Sequence, residues 1–142
     1  MYHSITFGEK NTWDDWRLIP SSRPIIVPPT LVTSYIEVPG RSGTLDLTEF
    51  YNGSPVYGNR EGSWEFVFMQ STTPWDDRYR EILNFLHGKR LPIALEDDPN
   101  YLYYGRLSIS DPKAGRSAMG LTIEYVIDPF KKDRTDLTKE CL

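Results

Sequence analysis

One helical period in an otherwise strand-like sequence constrains the fold most. Trp75, Tyr79, Ile82, Leu83 and Leu86 recur at the spacing that draws a single apolar stripe along a helix. Asp76, Asp77, Arg78, Arg80 and Glu81 fall outside that stripe, so the helix is expected to lie on a core with its charged side in water. Thr73 is placed to cap the first turn, and Pro74 suits a first position where no amide donor is needed. Gly88 suits a left-handed C-cap, while Lys89 and Arg90 bring positive charge to the carbonyl end. The spacing predicts a helix over 74–87.

The rest reads as strand and turn. Ser63 to Met69 alternates with period two, Trp64, Phe66 and Phe68 on one face and Glu65 and Val67 on the other. The aromatic face is the expected seat of the helical stripe. Strands are also predicted at Tyr2–Phe7, Thr12–Ile19, Leu31–Val38, Thr44–Thr48, Leu91–Leu95, Tyr101–Ser110 and Ala118–Ile127. Prolines at 20, 24, 28 and 29 remove amide donors and predict an edge or connector. Asp97-Asp98-Pro99-Asn100 and Asp111-Pro112-Lys113-Ala114-Gly115 have turn chemistry. The pattern implies a mainly β fold with one α-helix, and 142 residues suffice for one sizeable core. We place that domain at 1–130, followed by a tail at 131–142 that mixes charges without apolar periodicity and is expected to fray or to be held by a partner.

A formal charge of −4 argues against a broad electrostatic surface for nucleic acid. Cys141 is the single cysteine, so the fold needs no intrachain disulfide. The sequence carries no apolar run of membrane-spanning length, and Met1-Tyr2-His3-Ser4 lacks the form of a signal peptide, so synthesis in the cytoplasm without a membrane anchor is expected.

Candidate chemistry is sparse. Glu96, Asp97 and Asp98 could hold a divalent cation or do the acid–base work of a small hydrolase, but neighbouring side chains at a strand end diverge, and a structural turn explains them better. Trp13 and Trp16 beside Asp14 and Asp15 could form a carbohydrate-binding surface, against which core or subunit packing is the stronger reading. His3 and His87 have no ligand near them in sequence, which favours solvated or capping roles. Ser63 does not sit in a nucleophile elbow, and no phosphate-binding glycine loop precedes the helix. No catalytic, cofactor or metal residue is therefore assigned, and no enzyme is expected.

The stretch Gly40 to Tyr57 poses a different problem. Leu45, Leu47, Phe50, Tyr51, Val56 and Tyr57 are too many large apolar groups for a free loop, yet the interspersed Gly, Asn, Ser and Pro make a poor core element. A second subunit would resolve the conflict, so these six residues are the expected subunit interface.

Several motifs in order resemble one family. They are 2-YHSITFG-8, 11-NTWDDW-16, 39-PGRSGTLDLTE-49, 59-NREGSWEF-66, 86-LHGKR-90, 95-LEDDP-99 and 125-YVIDPF-130. Together they are similar to the N-terminal part of siphophage distal tail proteins. The resemblance implies a tail-tube-like β-sandwich or split barrel with one helix, assembled as a hexameric ring. It further implies a non-enzymatic hub of the virion tail that joins the tail tube protein to tail-tip or baseplate proteins and leaves a channel for DNA. Longer members add a galectin-like domain, to which these 142 residues hold no match.

Overall fold

The computed structural model describes residues 2–50, 53–114 and 119–142, with 111–114 described by their backbone alone. The chain opens with β1 (Ile5–Phe7) and β2 (Lys10–Asn11), an antiparallel pair joined by a tight turn with Gly8 at φ +62. Residues 12–17, expected to be strand, instead coil into a turn. Asp15 and Arg17 donate to the carbonyls of Asn11 and Trp13, and the Asn11 side chain accepts from the amides of Trp13 and Asp14. A polar residue that bonds its own backbone competes with extended structure, which is why the strand starts only at β3 (Leu18–Pro20).

After the proline connector come four short strands, β4 (Leu31–Val32), β5 (Tyr35–Glu37), β6 (Thr44–Asp46) and β7 (Val56–Tyr57). The predicted strand over Leu31–Val38 is thus broken at Thr33 and Ser34. The long β8 (Arg60–Phe68) buries Trp64, Phe66 and Phe68 and turns Glu65 and Val67 away, as the alternation predicts. The helix α1 (Trp75–Leu86) follows, then β9 (Arg90–Leu95), β10 (Asp98–Ala114) and β11 (Met119–Ile127). The turn between β9 and β10 is therefore Glu96-Asp97, one step earlier than expected, and 111–114 continue β10 rather than turning. Two further strands, β12 (Lys131–Asp133) and β13 (Glu140–Cys141), pair with each other, and β12 also pairs with Tyr101 and Leu102 of β10. The end of the chain is therefore built onto the sheet rather than frayed.

The main sheet is antiparallel with the order β2-β1-β9-β10-β11-β8-β3. β2 and β3 stand at opposite ends of that order yet are joined by 12–17 alone. Laid flat, the sheet would hold them roughly 29 Å apart at ~4.8 Å per strand, whereas the linking residues reach at most about 25 Å even when fully extended. Because those residues are coiled, the sheet must curl. The result is a half-barrel whose inward side chains, from Ile5 and Phe7 through Ile93, Leu107, Ile123 and Tyr125 to Phe66, form one core cluster.

Helix α1 closes that core along a line the stripe only partly anticipated. Arg78, Ile82 and Leu86, each four residues apart, are the buried positions, with Tyr79 and Leu83 partly buried beside them. Trp75 is 45% exposed. Arg78, assigned above to the solvent face, is 5% exposed. Its Nη1 donates to the carbonyls of Trp16 and Met69, both at 2.9 Å, and its guanidinium lies 5.1 Å from the centre of the Phe68 ring. Burial lowers its pKa. Trp16 ends the turn before β3 and Met69 follows β8, so the arginine satisfies two carbonyls that lie outside the strands. The expected Thr73 cap is absent: the helix begins after Pro74 with no side-chain cap bond. At its other end Gly88 takes the expected left-handed φ of +79 and Lys89 Nζ donates to the carbonyl of Asn84 at 2.6 Å, whereas Arg90 turns away to the Asp128 carboxylate.

Candidate functional site

The residues singled out for chemistry are held apart in structural roles. Glu96 accepts from the Ser4 amide at 2.7 Å and the Ser4 hydroxyl at 3.1 Å, fixing the start of β1. Asp97 turns the other way: His3 Nδ1 donates to its two oxygens at 2.8 and 2.9 Å, and Arg23 Nε donates at 3.1 Å. Burial pushes the Asp97 carboxyl up, but the hydrogen bonds and charges of His3 and Arg23 outweigh it and leave the pKa lowered. Asp98 pairs across the hairpin with Leu95. Glu96 and Asp97 thus serve different contacts while Asp98 enters the ladder through its backbone, and among the described residues no cluster of His, Cys, Asp and Glu has a metal-holding arrangement. Both histidines have specific partners that sequence proximity hid. His87 Nδ1 accepts from the Ile109 amide at 3.0 Å, linking the helix end to β10.

The tryptophan pair does not form a joint surface. Trp16 is 0% exposed and lies edge-on to Phe85 at 5.9 Å. Trp13 is stacked on Tyr2 at 3.8 Å, with the Arg17 guanidinium 4.9 Å from its ring centre. A sugar site would need both rings free to stack, and one of them is inside the core.

The structure concentrates its uncovered apolar surface elsewhere, on an arm over 28–59. β4 pairs with β7 at the base, Leu31 opposite Tyr57 and Val32 opposite Val56, and β5 pairs with β6 at the tip, Ile36 opposite Leu45. Neither ribbon joins the main sheet, and no described residue from 25 to 59 is buried. Phe50 is 69% exposed and Tyr35 57%, with Leu31, Val32 and Ile36 also open to solvent. Leu45, Leu47, Val56 and Tyr57 are half-buried, and Tyr51 lies outside the described residues. An isolated two-stranded ribbon is marginal in water, and one that exposes its apolar side chains has reason to find a partner.

The root of the arm is anchored where its tip is not. Arg60, 5% exposed, donates from Nη1 to the Val27 carbonyl at 3.1 Å and from Nε and Nη2 to the Pro129 carbonyl. Trp64 Nε1 donates to the Ile25 carbonyl at 2.8 Å, and Tyr125 Oη accepts from the Val27 amide at 3.2 Å. The proline connector, poor in donors of its own, is thereby strapped over the core by side chains from β8 and β11. Tyr125 stacks on Trp64 at 4.3 Å, which requires Gly62 on β8: a Cβ there would come 2.4 Å from Tyr125 Oη.

The fold has a known counterpart. Over 94% of this chain it superposes on the crystal structure of the SPP1 Dit (gp 19.1) protein, described as a paradigm of the hub adsorption apparatus in phages that infect Gram-positive bacteria, with a TM-score of 0.68 and 16% identity. The likeness covers 53% of that protein, so the chain spans about half of its length. No family model and no curated protein matches the sequence. The fold, a mainly β half-barrel with a single helix, is therefore Dit-like. Among the described residues, no helix is long and apolar enough to cross a membrane.

Proposed function

We propose that this protein is a structural subunit of a phage tail hub, which assembles with further copies of itself into a closed ring at the distal end of the tail. The observation that carries this reading is the arm over 28–59: a hub-like half-barrel supports two ribbons whose Leu31, Val32, Tyr35 and Ile36 are exposed in the single chain. In a ring each subunit offers two different surfaces, so the arm of one copy rests on the body of the next and rotation closes the set. Six copies is the number the family resemblance supports. On this reading the ring is part of the virion tail, binds the tail tube protein on one side and tail-tip proteins on the other, and leaves a central passage for DNA.

Light scattering and negative-stain micrographs of the purified protein test it. Rings with a mass near six protomers are expected, and Leu47→Asp is expected to give a folded monomer, because burying an unpaired carboxylate at the contact is costly. A wild type that stays monomeric at high concentration would refute self-assembly, and an intact Leu47→Asp ring would move the contact away from this residue.

A further inference from the structure

The outer face of the sheet carries two arginines side by side. Arg90 on β9 is directly opposite Arg106 on β10, and Arg106 is directly opposite Val126 on β11. Like charges at facing positions of an antiparallel pair are destabilising. The fold relieves half of this: Arg90 binds the Asp128 carboxylate through both Nη1 and Nη2. Arg106 is exposed and has the Gly88 carbonyl, at 2.7 Å, in place of a carboxylate. The two side chains border a groove of about 390 Å³ with Asn59, Leu107, Val126 and Asp128. Val126 is 42% exposed, an uncovered apolar group between charges.

The tip of the arm has the opposite character on one face. Tyr35 and Glu37 are two apart on β5 and so point to the same side of the ribbon, and their cross-strand partners there are Asp46 and Thr44. That side therefore presents one ring and two carboxylates, while Ile36 and Leu45 form the other side. The Glu37 side chain has no hydrogen-bond or ion-pair partner among the described residues. Thr48 donates twice to Asp46, which lowers its pKa.

We infer that the Arg90–Arg106 groove is the seat for the tip of a neighbouring copy's arm, with Glu37 of that copy answering Arg106 and the Tyr35 ring covering Val126. This rests on the ring reading above and names the surface that receives the arm. A guanidinium both pairs with a carboxylate and stacks on an aromatic ring, so two arginines suit a face that carries both groups. The occupant is taken as a second copy rather than nucleic acid because the matching acidic face is present on the same chain, whose overall charge is −4.

Charge reversal tests the pairing. Arg106→Glu and Glu37→Arg are each expected to weaken assembly by about tenfold or more, and the doubly reversed chain to regain most of it. Both side chains are exposed, so melting temperatures of the unassembled variants should match wild type and exclude misfolding. A wild type that never assembles would refute the ring reading itself. Wild-type rings with both single variants assembling normally would leave the ring standing and overturn this seat, as would a double variant no better than the singles. If Arg106→Glu assembled normally but lost binding to a DNA duplex that wild type retains, the groove would be a phosphate site and the inference wrong.

Discussion

Arg60 and Pro129 hold together two parts of the chain that sequence keeps far apart: the guanidinium Nη2 and Nε lie 2.9 and 3.2 Å from the Pro129 carbonyl, while Nη1 reaches the carbonyl of Val27. The exit of β11, the proline connector and the root of the arm are thus tied by one buried side chain.

Removing that side chain leaves two partly buried carbonyls without their donor. We expect Arg60→Ala to destabilise the fold by about 2–4 kcal/mol in chemical denaturation. Arg60→Lys should recover part of this, since one ammonium cannot span both carbonyls as the fork does. A loss near zero for Arg60→Ala would mean that the clamp is redundant.

The helix offers a second comparison. Ile82 is fully buried and Trp75 is 45% exposed, although both belong to the same stripe. Ile82→Ala should cost about 2–4 kcal/mol, and Trp75→Ala under about 1 kcal/mol. The reverse order would place the helix in a different rotation from the one described.

Gly62 is a matter of space. With Tyr125 Oη 2.4 Å and Cζ 2.7 Å from a Cβ built at Gly62, Gly62→Ala must displace the ring that stacks on Trp64. A loss of about 1–3 kcal/mol is expected from such overpacking, together with a changed near-ultraviolet circular dichroism signal from the Trp64–Tyr125 pair. An unchanged spectrum and melting temperature would show that the ring shifts freely.

Acid should weaken the contact of Asp97 with His3 and Arg23. The Asp97 pKa is lowered in the folded chain, so its contribution is present above the unfolded value, near about 4, and is lost as pH falls through the lower folded value. Asp97→Asn should therefore be less stable at neutral pH and lose less on acidification below about pH 4. Asp98→Asn should be nearly silent at neutral pH, as expected of a residue with a turn-type role. Identical acid limbs for wild type and Asp97→Asn would refute the assignment.

Local pattern in the sequence was enough for several features that depend on near neighbours, though not for the Thr73 cap or the turn over 12–17. The alternation of Trp64, Phe66 and Phe68, the helical stripe, the Gly88 terminus and the mainly β class all follow from periods and turn residues that act within a few positions. So did the peculiarity of Gly40 to Tyr57, whose apolar groups had no local element to bury them. Tertiary structure decided what distant residues make of each other. Arg78 reads as a surface charge until Trp16 and Met69 present it with carbonyls, and His3 reads as isolated until the β9–β10 turn brings Asp97 to it from 94 positions away. The curl of the sheet belongs to the same class, because it arises from a short link between strands at opposite ends of the order, and strand order is not written in any local period. Hydrophobic periodicity records which face a residue turns inward, whereas the partner it finds there depends on how the whole chain closes.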